Sequence, residues 1–252
     1  MTALSINHWT ASDGVDLACR EMGEGRPVIL LHGLFSSAEV NWIKYGTAAA
    51  VAAAGFRVIM PDHRAHGDSD KPHDPALYPR GILARDVTEL VAHLGLEDYD
   101  LGGFSLGART VVQVVGEGAL RPRKAILSGM GLRGLVDWDK RQAFFRDVIA
   151  NFNTAKRGDP HWLAIQFMKT MKVDREAAAL VLQSFGDAPR AALAAFAMPT
   201  LVLIGAEDED NGSARELAEA LPDATYRELP GTHLSCVTKA ELGRAIADFL
   251  VT

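Results

Sequence analysis

Short apolar runs rich in β-branched residues alternate with helix-forming stretches through the first half of this 252-residue chain. That alternation constrains the fold more than any other feature of the sequence. A strand with no polar face must be covered on both sides, which predicts an α/β fold: a mostly parallel sheet with helices on both faces. Residues 28–31 form one such run and end at His32-Gly33, and residues 57–60 form the next, closed by Pro61-Asp62. Between them, residues 47–54 are rich in alanine, a strong helix former, and stop at Gly55. In residues 81–94, Ile82, Val87, Leu90, Val91 and Leu94 recur at three- and four-residue spacings, which predicts a helix with one apolar face. A weaker strand at 99–101, a helix at 108–115 and a strand at 124–127 continue the series.

From about residue 133 to 197 the strand runs stop. Helical segments are predicted there at 137–155, 161–171, 175–185 and 189–196. A strand at 200–204, a helix at 214–220, a strand at 225–229 and a helix at 239–250 then restore the alternation. A helical block inside a resumed α/β series predicts a lid over the sheet's carboxyl edge. The expected division is a core of residues 1–132 and 198–252 carrying a lid of residues 133–197. No internal repeat is evident.

Bulk properties exclude several classes. Hydrophobic residues make up 48% and charged residues 23%, which excludes disordered and fibrous chains. The formal net charge is -6 and the pI near 5.7, with no dense Lys/Arg run, so no nucleic-acid partner is expected. Cys19 and Cys236 cannot build a disulfide framework. Residues 1–7 lack a basic start followed by an apolar run, so no signal peptide is expected. The longest small-apolar stretch, 47–55, is too short to span a bilayer. A cytoplasmic protein with no membrane partner is the expectation, and its oligomeric state is not legible.

Gly103-Phe104-Ser105-Leu106-Gly107 fits the G-x-S-x-G pattern between a strand and a helix. A serine at the tip of so sharp a turn needs glycine on both sides, and the amides after it open a helix where negative charge is favoured. A phosphate-binding loop is the competing reading, but G-x-G-x-x-G and the P-loop lysine are both missing. A serine hydroxyl also needs a base within reach and a carboxylate to orient that base. Only His161 and His233 follow Ser105, and His161 falls in the helical block. The strand at 200–204 runs into Gly205-Ala206-Glu207-Asp208, and the strand at 225–229 into Pro230-Gly231-Thr232-His233. Both ends belong to the sheet edge that carries Ser105. Asp208 is preferred as the acid for its shorter side chain, with Glu207, Glu209 and Asp210 beside it.

These residues resemble the α/β-hydrolase fold superfamily, in its serine carboxylesterase-like branch, along essentially the whole chain. Leu30-Leu31-His32-Gly33-Leu34-Phe35 looks like the family's strand-to-oxyanion-loop segment. The stretch from Pro61 to Ser69 looks like its next loop, and Ser105, Asp208 and His233 follow in family order. The resemblance implies Ser105 as nucleophile, His233 as general base and acid, and Asp208 as the orienting carboxylate. It also implies that the Leu34 and Leu106 amides hold the oxyanion. His32 is read as organising the loop. Ala65 and Ala108 stand where many relatives have glycine, and both turns are expected to survive. Arg109 resembles a feature of the branch that eliminates pyruvate, although an arginine paired at the surface or beneath the elbow is the simpler reading. The branches with an aspartate nucleophile are demoted by Ser105. The C–C hydrolases are demoted by Phe104 and by Leu234-Ser235-Cys236.

The segment from Asp62 to Asp68 packs two histidines and two carboxylates together, yet its spacing is not H-x-H-x-D-H and no second cluster follows. No metal and no cofactor are expected. Phe35, Met130, Trp138 and Leu234 are the candidates for contact with substrate, a small and mainly apolar ester or lactone. The leading expectation is a serine ester hydrolase. A lactonase or perhydrolase with the same triad, a pyruvate-eliminating lyase and a non-catalytic ligand sensor are the alternatives.

Overall fold

The computed structural model describes residues 4–136 and 138–252, so the helix start predicted at Asp137 and residues 1–3 lie outside the described residues. Two strands that the alternation does not announce come first. Strand β1 (Ile6–Thr10) pairs antiparallel with β2 (Asp16–Met22). Four of the five β1 positions are exposed, because it forms the sheet edge. Strand β2 carries Arg20, whose guanidinium is buried against the Asp62 carboxylate at 3.0 Å. Neither strand shows an apolar run, hence the silence of the pattern.

The predicted series then follows in order. Strand β3 (Arg26–Leu31), helix α1 (Thr47–Ala53), strand β4 (Phe56–Pro61), helix α2 (Ile82–His93), strand β5 (Asp100–Phe104), helix α3 (Leu106–Gly116) and strand β6 (Ala125–Ser128) build the first half. Strand β7 (Thr200–Gly205), helix α7 (Ala214–Ala220), strand β8 (Ala224–Leu229) and helix α8 (Ala240–Val251) complete it. The eight strands lie in the order β1-β2-β4-β3-β5-β6-β7-β8, with every pair from β4 onward parallel. This is the α/β-hydrolase fold.

Side chains alternate across the strands, so one run feeds two cores. Ile29, Leu31, Leu101, Leu127, Val202 and Ile204 face the layer of α2, α3 and α7. Val28, Leu30, Val58, Met60, Ile126 and Leu203 face α1 and α8. Between β6 and β7 come α4 (Trp138–Ala150), α5 (Trp162–Thr170) and α6 (Arg175–Gln183), followed by a 3₁₀ turn at Arg190–Ala195 behind Pro189. Val148, Ile165, Met168 and Ala178 of these helices bury Phe35, which follows β3. Ala177 and Val181 of α6 pack with Leu83 of α2 and with Leu106. The block is thereby seated on the loops at the carboxyl ends of the strands. Among the described residues no helix is long and apolar enough to cross a membrane.

Candidate active site

Strands β3 to β8 run parallel, so the loops after them share one edge, where ligands of open α/β sheets bind. The loop after β5 is one residue long. Ser105 sits at its tip with φ 52° and ψ -108°, a conformation that a non-glycine residue holds only when its surroundings impose it. The Ser105 N–H donates to Ser128 O at 2.8 Å, and the Ser105 carbonyl accepts from Arg109 N at 3.0 Å. A Cβ on Gly103 would collide with the Gly107 backbone, and one on Gly107 with the Leu31 carbonyl of β3. The two glycines of the motif are therefore required by backbone approach.

Beyond β7 and β8 the chain brings Asp208 and His233 to this serine. Ala206 N donates to Leu229 O at 2.7 Å and Glu207 N to Gly231 O at 3.0 Å, so the two loops are sewn together. His233 Nδ1 lies 2.7 Å from Asp208 Oδ2, and His233 Nε2 lies 3.0 Å from Ser105 Oγ. An ionised carboxylate only accepts, so the proton sits on Nδ1 and Nε2 is left to accept from the serine hydroxyl. The second oxygen of Asp208 accepts from Asp210 N at 3.1 Å. The Phe104 ring flanks His233 with centroids 5.0 Å apart.

The Leu106 amide opens α3, and the Leu34 amide lies in the loop after β3. Neither donates to a protein acceptor among the described residues. The Leu34 loop is held from two sides. His32 Nδ1 donates to the Gly33 carbonyl at 2.7 Å while its Nε2 accepts from His63 N at 3.0 Å. Asn41 accepts from Gly33 N at 3.0 Å through Oδ1, from within a wide π-helical turn at Glu39–Ile43. Nothing periodic in the sequence marks Asn41.

His32, His63 and His66 lie together in the interior, with the His32 ring 4.6 Å from that of His63 and 5.2 Å from that of His66. Burial lowers all three, His66 to about 4. Asp62 beside them accepts from Arg20, Ala38 N and Asp68 N. Ala65 keeps its turn at φ 68° without glycine. Among the described residues, Asp208, Asp210 and His233 have donor atoms within 4.8 Å of one another. Two of those three already satisfy each other, so the donor set is that of a hydrogen-bonded pair.

The four residues expected to touch substrate lie in different surroundings. Phe35 is buried at φ 60°, edge-on to Phe145 at 5.7 Å. Met130 is buried in the core layer of α3. Trp138 is buried between the Arg109 guanidinium, 4.9 Å away, and the Phe185 ring. Leu234 is 46% exposed, directly after His233. Arg109 lies beneath the elbow, its guanidinium donating to the Gly134 and Gly186 carbonyls. A cleft of about 440 Å³ lined by Arg133, Asp208, Arg215, Tyr226 and Glu228 opens behind the acid and includes neither Ser105 nor His233.

Residues 26–162 match the family model described as alpha/beta hydrolase fold. The chain belongs to the alpha/beta hydrolase fold family. Within it, the chain is 27% identical to the non-heme chloroperoxidase CPO-A1 of Kitasatospora aureofaciens, over 96% of this chain and 98% of that protein. It is 37% identical to a non-heme haloperoxidase of Rhodococcus erythropolis, over 48% of this chain and 42% of that one. Among solved structures, a thermophilic esterase from Thermogutta terrifontis superimposes with a TM-score of 0.78 at 24% identity, covering 98% of both chains. Family membership makes this an enzyme of the hydrolase superfamily, whose members combine one fold with several chemistries.

Proposed function

We propose that this hydrolase cleaves carboxylic esters of small substrates through an acyl-enzyme on Ser105. The observation that carries the reading is the continuous hydrogen-bonded chain from Ser105 Oγ through His233 to Asp208. In this reading Ser105 Oγ attacks the acyl carbon while its proton passes to His233 Nε2. The carbonyl oxygen becomes an oxyanion held by the Leu34 and Leu106 amides. His233 then protonates the leaving alcohol as the ester C–O bond breaks. Water, deprotonated by His233, attacks the acyl-enzyme and restores Ser105. Residues 133–197 act as the lid, and Phe35, Met130, Trp138 and Leu234 contribute to the apolar walls around an ester or a lactone.

A second reading keeps the acyl-enzyme and changes the acceptor. The names of the haloperoxidase relatives favour hydrogen peroxide in place of water. The peroxide oxygen bonds the acyl carbon, its proton goes to His233, and the Ser105–acyl bond breaks to release a peracid.

Hydrolysis of p-nitrophenyl esters of graded acyl length, beside Ser105→Ala, tests both. The expected outcome is turnover that peaks at one chain length and falls by at least about 10³-fold in the variant. Peracid formed on adding peroxide would favour the second acceptor. A single slow burst without turnover, or an unaffected Ser105→Ala, would overturn the acyl-enzyme.

A further inference from the structure

Three arginines crowd the place where the helical block meets the loop of Asp208. Arg133 donates to Glu209 O at 3.2 Å, Arg141 donates to Asp210 O at 2.6 Å, and Arg109 serves the Gly134 and Gly186 carbonyls. Each bonds only to backbone carbonyls. None of the three has a carboxylate within ion-pair distance among the described residues, in a chain whose net charge is -6. Burial lowers Arg109 to about 10 and lowers Arg141 as well, against the opposing pull of Asp187 on Arg109 and of Asp210 and Asp208 on Arg141. Arg109 is buried, Arg141 half-buried and Arg133 exposed, so Arg109 and Arg141 carry a desolvation cost that the nearby carboxylates offset only in part.

Arg141 is the member of the group whose donors remain free. Arg109 has both terminal nitrogens engaged and its face covered by Trp138. Arg141 uses one donor on Asp210 O, and its other N–H groups have no acceptor among the described residues. Its Cζ lies 5.7 Å from the Phe145 ring centroid, and Phe145 packs edge-on against Phe35, the residue after the Leu34 amide. On its other side Asp210 N holds Asp208, the partner of His233. The guanidinium thus stands between the oxyanion loop and the acid loop, with a planar fork of donors available.

We infer that Arg141 binds an ionised carboxyl group on the substrate, so that the substrate class is an ester or lactone of an acid bearing a second carboxylate. The fork of a guanidinium matches the two oxygens of a carboxylate, and burial makes that match stronger than at the surface. The inference rests on the ester-hydrolase reading for its chemistry. It departs from a wholly apolar substrate at this one point, since the aromatic walls remain for the chain between the carboxylate and the ester.

The test compares mono-p-nitrophenyl glutarate with p-nitrophenyl pentanoate, which differ only by a carboxylate in place of a terminal methyl. The wild-type ratio of kcat/KM is expected to favour the glutarate by about tenfold or more. Arg141→Gln is expected to collapse that ratio towards one, and Arg141→Lys to restore part of it. A wild-type ratio near one overturns the assignment, and so does a ratio that Arg141→Gln leaves intact while both rates fall together. If neither ester is hydrolysed, the hydrolase reading fails by itself. Calorimetric titration of Ser105→Ala with monomethyl glutarate then decides the site: binding that disappears in Ser105→Ala/Arg141→Gln supports it, and binding absent or equal in both overturns it.

Discussion

Ser105 holds positive φ because everything around it is already committed. Its N–H is fixed on Ser128 of β6, and its carbonyl starts the hydrogen bonding of α3. Strain of this kind costs about 1–3 kcal/mol and persists only where packing over-determines the backbone. The glycines are the other half of that arrangement, since Gly107 lies against the Leu31 carbonyl with no space for a methyl group. Gly107→Ala is therefore expected to lose about 3 kcal/mol of stability, because the clash is with backbone that cannot rotate away. Urea denaturation measures this, and a loss under about 1 kcal/mol would show that the elbow can open. The pentapeptide was readable in the sequence because the tight turn brings Gly103 against Gly107 within the motif itself, although the contact of Gly107 with Leu31 was not. Arg141 was not: an arginine on a helix carries no mark of whether a carboxylate waits for it.

At the scale of elements, the loop after β3 shows how a flexible segment acquires a fixed shape. Its Gly33 N–H is taken by Asn41, and its Gly33 carbonyl by His32. The Asn41 Nδ2 is buried without a partner among the described residues, so the hydrogen bond this side chain makes there is the one that Oδ1 accepts from Gly33 N. Asn41→Ala would release the Gly33 peptide and loosen the Leu34 amide that follows it. The expected result is a fall in kcat of about tenfold with KM little changed, the split that marks an interaction made in the transition state. A change confined to KM would assign Asn41 to substrate binding instead. Helix and strand positions were legible because their apolar periods are local, whereas β1 and β2 were not. An edge strand and a strand whose buried Arg20 pairs with Asp62 have no apolar run to read.

Across the whole molecule, three neutral histidines are held beneath the carboxyl edge of the sheet. All three are lowered by burial, and His66 titrates at about 4, against 6.5 for the unperturbed side chain. Between those two values the unfolded chain binds the proton and the folded chain does not. The stability these histidines contribute is therefore full above pH 6.5 and is lost as pH falls towards 4, with His66 alone accounting for about 3 kcal/mol. Asp86, raised to about 6 by burial, works in the opposite sense between 3.8 and 6 and offsets part of that decline. Urea midpoints at pH 7, 5.5 and 4.5 should fall steadily in the wild type and less steeply in His66→Gln. Equal slopes would remove His66 from the acid response. The sequence by itself determined the α/β class and the order of elements from β3 onward, and it put Ser105, Asp208 and His233 in loops at strand ends, because these follow from local periods. Only the tertiary structure decided that Arg109, Arg133 and Arg141 converge with no carboxylate within ion-pair distance among the described residues, that Asn41 grips Gly33, and that His32, His63 and His66 share one interior. Those facts depend on segments distant in the chain being brought together, and the energy of a buried polar group is set by the partners it finds there.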